Sequence, residues 1–205
     1  MSTIRFRRVA SEARIFVADG FLDEDEIAAI LAAAGEGTAY GAQHDGTGLH
    51  FELPLAAAPE LTALQARLEA VLGFANLLGD TFRFRRYHAG EGHPPHVDCY
   101  AWSGAHLVVT AMLWLTCPAQ GGETRFGRAR PAALRLEPRR GRLAMWMNYG
   151  ADGRPDPLAW HEGLAVAAGE KTTLTSFIYA DRAVAPAFAP GLEADPAIPG
   201  VVLEA

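Results

Sequence analysis

From Asp80 to the end of the 170s the chain breaks into short β-type runs punctuated by glycine and proline, with no helix-length repeat between them. The runs are 81–87, 107–116, 134–136, 142–148, 164–166 and 171–179, each dense in β-branched, aromatic or alternating apolar residues. Strands in such close succession have no room for helical crossovers. They must pair antiparallel, and this limits the region to a sandwich or a barrel. The part before it is helical. Residues 23–34 open with the acidic turn Asp23, Glu24, Asp25, Glu26, place Ile27, Ile30, Leu31 and Ala34 on one face, and stop at Gly35. Residues 59–78 read as a longer helix with Pro59 in its first turn and Leu61, Leu64, Leu68, Val71, Leu72 and Ala75 at helical spacing. A chain of 205 residues suits one domain with a single core. The expected layout is mainly β with flanking α: an N-terminal strand and support helices over 1–79, a β core over 80–180 with the two helices against its outside, and a proline- and alanine-rich tail over 181–205 that wraps the surface or is mobile.

Charge narrows the function. A net charge of −6 removes the broad attraction that phosphate backbones or anionic lipid would need, so neither nucleic acid nor membrane is an expected partner. No apolar run reaches the roughly 20 residues of a bilayer span, and the arginine-bearing N-terminus lacks a signal-peptide core, which reads as cytoplasmic. Cys99 and Cys117 are too few for a disulfide scaffold or a cysteine-built zinc site and are expected as reduced, semi-buried thiols. Lys171 is the single lysine among 18 basic residues.

The chemistry-bearing residues gather in the β half. In His96-Val97-Asp98, residues two apart on an extended segment point the same way, so an imidazole and a carboxylate converge. A surface histidine beside an acidic turn explains that pair equally well. His161, opening a later β segment, tips the balance, because two histidines and a carboxylate on one face form the ligand set of non-haem Fe(II). Ten residues further, Lys171 heads a strand on which Lys171, Thr173, Thr175 and Phe177 share a face. If that face is the interior, the ammonium needs an anionic partner such as a dicarboxylate; otherwise its head lies in solvent, and spacing alone does not choose.

The order Tyr87-His88-Ala89-Gly90, His96-Val97-Asp98, Thr110, Gly121-Gly122-Glu123-Thr124-Arg125-Phe126, Pro138 with Gly141, His161 and Gly169-Glu170-Lys171 resembles the prolyl 4-hydroxylase type of Fe(II)/2-oxoglutarate dioxygenase. The segment from Phe16 to Leu31 resembles the family's entry segment. The resemblance implies a double-stranded β-helix (jelly-roll) core packed against N-terminal helices. It makes His96, Asp98 and His161 the Fe(II) ligands and catalytic centre, Lys171 the partner of the distal carboxylate of 2-oxoglutarate, and Tyr87 a phenol that hydrogen-bonds it. Thr173 or Thr175 adds a hydroxyl by strand alternation. The implied reaction consumes 2-oxoglutarate and O2, with ascorbate as reductant, and hydroxylates an unactivated C–H bond. Asp98 favours that outcome, since related halogenases lack this carboxylate.

The departures fall on the substrate side. His93 stands where the family often has a second tyrosine, Leu107 where many protein-directed members have arginine, and 172–177 replaces a tryptophan-rich ending. The substrate is accordingly a prolyl residue in a peptide or an amino-acid-like small molecule, with a free amino acid or metabolite as the alternative. A non-catalytic metal-binding jelly roll of the cupin kind is the competing class, which would not need Lys171 with Tyr87. Glu123 is assigned a structural role. His44, His50, His88, His93 and His106 read as ordinary polar histidines, His93 and His106 being the nearest to substrate candidates. Tyr100, Trp102, Trp114 and Trp146 read as core or pocket wall, Cys99 as a small core residue, and Arg83, Arg85 and Arg86 as a solvated strand face from which one, or Arg125, could hold an anionic group.

Overall fold

The computed structural model describes residues 6–10, 12–130, 132–150, 152–181 and 199–204. Helix α1 (Glu24–Ala34) begins where the acidic turn lies: Asp23 accepts from the Glu26 amide at 2.9 Å, and the Glu26 carboxylate accepts from the Asp23 amide at 3.0 Å. This reciprocal cap satisfies two backbone donors that the helix leaves open. Helix α2 (Pro59–Leu72) is shorter than its apolar spacing suggests. Gly73, at φ +77, turns into the left-handed region and its amide donates to the Glu69 carbonyl, a helix stop that a residue with a Cβ adopts only with strain. Asn76 then ties the following segment to the sheet through the Phe177 carbonyl and the Tyr179 amide. Ala75 is therefore not helical, and Leu78 reaches the central cavity instead.

Eight strands form the frame: β1 (Thr81–Tyr87), β2 (His93–His96), β3 (Ala105–Thr116), β4 (Thr124–Phe126), β5 (Leu134–Leu136), β6 (Leu143–Met147), β7 (His161–Gly163) and β8 (Lys171–Ala180). The larger sheet has the order β6-β3-β8-β1, extended by Ile15–Ala18 on β6 and Leu49–Pro54 on β1. The smaller runs β5-β4-β7-β2, with Val201–Leu203 added to β5. First pairs with last, second with seventh, third with sixth and fourth with fifth, all antiparallel. That nesting is the topology of a double-stranded β-helix. One expected strand moves and one strand is added. In place of 164–166, the chain forms β7 and then Val166–Ala168, because the Leu164 amide and Ala165 carbonyl bond across to Glu123 and Gly122 and break the run. The proline-rich His93–His96 is a strand after all; it lies at the sheet edge, where missing amide donors are tolerated.

Alternation along the central strands divides two environments. Phe82 and Phe84 on β1 and Leu174 and Ile178 on β8 join Ile27, Ile30, Leu61, Leu64 and Leu68 of the helices in one buried cluster. A second cluster joins Ile15, Trp114 and Trp146 of the larger sheet to Phe126, Leu134 and Leu136 of the smaller. The intervening residues of β1 and β8 face a cavity between the sheets. Leu64 has no exposed surface. Leu64→Ala is expected to lower unfolding free energy by about 2–5 kcal/mol, read as a lower urea midpoint at unchanged slope, while leaving the cavity on the opposite face intact.

Other expectations shift with exposure. Trp114 and Trp146 are buried, and Tyr100, though 55% exposed, stands in the cavity wall, but Trp102 is 69% exposed, on a hairpin that turns at Ser103 and Gly104. Cys99 is only half-buried and Cys117 is exposed, since neither lies on an inward position of a central strand. Most of the 181–205 tail lies outside the described residues. Among the described residues no helix is long and apolar enough to cross a membrane.

Candidate active site

The cavity between the sheets has a volume of about 440 Å³. His96 closes β2, Asp98 follows it by two residues, and His161 opens β7, whose register sets it opposite His96. One donor atom from each lies within 4.8 Å of the others. Asp98 and His161 are buried, whereas His96 is partly open to the cavity. Both imidazoles are oriented from behind. His96 Nδ1 lies 2.8 Å from the Pro94 carbonyl and His161 Nδ1 2.9 Å from that of Ala159. Carbonyls only accept, so each Nδ1 carries a proton, and in the neutral ring Nε2 is the atom that offers a lone pair. Nε2 of His96 sits 3.4 Å from Asp98 Oδ1, and Nε2 of His161 3.6 Å from Oδ2. Lone pairs converging on one point repel unless a cation lies among them. Two imidazole nitrogens and a carboxylate, open on the cavity side, are a donor set compatible with an iron ion.

The titration directions follow from the same geometry. Burial disfavours charge on all three, but the hydrogen bond and charge of Asp98 outweigh it at His96, whose pKa rises. Asp98 is held below the usual carboxylate range: burial opposes this, and His96, His161 and Thr110 overcome it. His161, the more deeply enclosed imidazole, is pushed down by burial. Its ring meets Trp146 edge-on at 4.6 Å.

Lys171 is 2% exposed, which removes the solvent-facing alternative. Its ammonium donates to the Gly122 carbonyl at 2.9 Å and lies 4.4 Å from the centre of the Tyr87 ring, its register partner across β1 and β8. Burial lowers its pKa to about 8, with the charge of Glu123 acting the other way. No carboxylate forms an ion pair with it among the described residues. An ammonium in that position fits a carboxylate brought by a ligand. The Tyr87 phenol is buried, which raises its pKa and keeps it a neutral hydrogen-bonding group. Thr173 and Thr175 stand on the same wall as Lys171.

Several residues reach the site that spacing had not singled out. Thr124 lines the cavity at the Lys171 end, since β4 pairs it with Gly163 and a Cβ on Gly163 would lie 3.6 Å from the Lys171 ammonium. Thr110 donates to Asp98. Arg83 and Arg85 are cavity wall, not a solvated face: Arg83 pairs with Glu52, and Arg85 bonds the Thr47 hydroxyl and faces Asp45. Arg86 points the other way, to Glu36 and Glu170. Arg125 is engaged by Glu162 and Glu204 away from the cavity. His93 packs 4.4 Å from the His96 ring and is held neutral, its pKa lowered to about 4 by burial and by the charges of His96 and Arg85. His106 packs on Tyr149 outside the cavity. His44, His50 and His88 pair with Glu91, Asp45 and Glu170.

A double-stranded β-helix with a histidine and carboxylate cluster between its sheets is compatible with the 2-oxoglutarate-Fe(II) oxygenases, and residues 82–179 match the family model described as the 2OG-Fe(II) oxygenase superfamily. The chain is 24% identical over 211 residues to a probable prolyl 4-hydroxylase 4 and to prolyl 4-hydroxylase 2 of Arabidopsis thaliana, spanning 86% of itself and 71% of each. Its fold is similar to a viral collagen prolyl hydroxylase from Paramecium Bursaria Chlorella virus-1, solved with 2-oxoglutarate (TM-score 0.67, 20% identity, 82% of this chain and 96% of that one). A Pseudomonas putida prolyl-4-hydroxylase is similar at TM-score 0.60 and 20% identity, over 80% and 90% of the two chains. Across most of its length the chain is similar to the prolyl 4-hydroxylase-like 2-oxoglutarate-Fe(II) oxygenases, and it is a 2-oxoglutarate-dependent dioxygenase.

Proposed function

We propose that the enzyme hydroxylates an unactivated C–H bond of a prolyl residue or a closely amino-acid-like group, forming succinate and CO2 from 2-oxoglutarate. In this reading His96, Asp98 and His161 hold Fe(II), and Lys171 takes the distal carboxylate of 2-oxoglutarate with hydroxyls from Tyr87, Thr173 and Thr175 in reach. The observation that carries it is the buried ammonium and the His-Asp-His cluster in the walls of one cavity. Iron with 2-oxoglutarate and O2 supplies the oxidising power for inserting one oxygen atom into the C–H bond, and ascorbate keeps the iron reduced. The protein's share is positional. The Pro94 and Ala159 carbonyls fix the two rings, so the Nε2 lone pairs are aimed before any ion arrives. Lys171 fixes one end of the cosubstrate in a site with little water, where a charge pair is strong.

Tyr100, Phe177 and Tyr179 line the cavity and suit a flat apolar ring. A peptide is the occupant those rings accommodate best. With Fe(II) and ascorbate, a capped prolyl peptide is expected to raise succinate formation about tenfold or more over the peptide-free rate, the equivalent of ~1.4 kcal/mol in the transition state. Stimulation by free L-proline and none by the peptide moves the substrate to the free amino acid. Stimulation by neither rejects the proline-like reading while leaving the dioxygenase class in place.

A further inference from the structure

The carboxylate of Asp98 is itself held by a buried relay that starts two strands away. Thr110, on β3, donates its hydroxyl to Asp98 Oδ2 at 2.8 Å. Asn148, immediately after β6, approaches the same hydroxyl with Nδ2 at 3.0 Å and the Leu107 carbonyl with Nδ2 at 3.3 Å. Thr110 and Asn148 are 1% and 0% exposed. Register explains their meeting, since Thr110 pairs with Trp146 and Asn148 lies two residues further along the same edge.

The direction of this relay is fixed by chemistry. A carbonyl only accepts, so the end of the Asn148 side chain facing Leu107 must be the amide NH2. That NH2 also faces Thr110 and donates to it. The threonine's one proton is then left for Asp98. The orientation comes at an expense: Asn148 Oδ1 is buried and has no hydrogen-bond partner among the described residues. Buried polar atoms are nearly always satisfied, and an exception inside a site signals that the side chain is retained for its other end.

We propose that Asn148 and Thr110 are positioning residues: Asn148 forces the Thr110 hydroxyl to donate to Asp98, which locks the plane of that carboxylate and keeps its remaining lone pairs aimed at the point where the histidine Nε2 atoms converge. This rests on the reading of Asp98 as a metal ligand. Neither residue belongs to the three-residue donor cluster, and both act on it through Asp98.

The test is equilibrium binding of Co(II), without 2-oxoglutarate or O2, by calorimetry on the full chain. Thr110→Val keeps shape and removes the donor; Co(II) affinity is expected to fall about 10- to 100-fold, the usual effect of losing a partner of a metal ligand. Thr110→Ser returns the hydroxyl and is expected to recover affinity to within a few-fold. Asn148→Asp replaces the donor by an acceptor that competes for the Thr110 proton, and is expected to weaken Co(II) as Thr110→Val does. Melting of the metal-free variants separates folding from positioning, and Asp98→Ala serves as the control. Unchanged affinity in Thr110→Val with the control impaired overturns the relay, as does a Thr110→Ser protein that folds but stays weak. Unchanged affinity in the control overturns the ligand reading instead.

Discussion

Replacing Asp98 by alanine is expected to reduce iron-dependent 2-oxoglutarate consumption by more than about a hundredfold, since loss of a mere outer partner of a ligand already costs ~10–100-fold. The reason lies in what remains. His96 and His161 both present Nε2, but their rings lie 4.2 Å apart and Asp98 is the anionic member of the cluster. Without it, a divalent ion meets two neutral donors and no compensating negative charge. Thr110 loses its acceptor as well and becomes a buried unsatisfied donor, so part of the damage reaches the sheet. The measurement is succinate formation together with Co(II) binding, both against wild type. Turnover within tenfold of wild type would remove Asp98 from the metal site and the metal site from its present position.

Much of this arrangement can be read from residue order, because a double-stranded β-helix puts its working residues at strand ends and on alternating positions. His96 and Asp98 are two apart at the end of β2, His161 opens β7 and Lys171 opens β8, so their convergence follows from topology. Other features depend on register and on chain segments far away. Thr110 reads only as one member of the ordered motif inside the run 107–116, and Asn148 as the polar last residue of the run 142–148; only the β3–β6 pairing brings them together. Arg83 and Arg85 look like a charged outer face because arginine is so common in this chain, yet period-two alternation with Phe82 and Phe84 commits them to the cavity. Glu52 and Asp45, from the edge strand and loop added to β1, make that burial tolerable. Helix α2 ends before its apolar period does for a local reason, as Gly73 overrides the spacing that continues through Ala75.

Lys171→Met is expected to act in opposite directions on stability and on cosubstrate affinity. In the ligand-free protein the lysine is a burden. Burial lowers its pKa from 10.5 to about 8, a shift equivalent to roughly 3 kcal/mol against the charged form. Below pH 8 folded and unfolded chains both carry the proton, and the penalty is fully present. Between pH 8 and 10.5 the unfolded chain holds a proton that the folded one has lost, so stability of the ligand-free protein rises with pH across that window. Methionine removes the penalty but leaves the Gly122 carbonyl without its donor, and a net gain of about 1–3 kcal/mol at neutral pH is expected. Binding reverses the sign. Leaving a cosubstrate carboxylate buried and unpaired costs ~3–5 kcal/mol, which is about two to three and a half orders of magnitude in 2-oxoglutarate affinity. Wild-type affinity should also weaken as pH rises above 8, where the free site loses its charge, and the variant should lack that dependence. Because Lys171 is the single lysine, lysine-selective 15N labelling gives one side-chain resonance whose titration reads the pKa directly. A structural lysine would produce the reverse pattern, a less stable methionine variant with unchanged 2-oxoglutarate affinity, and that result would take the cosubstrate role away from this residue.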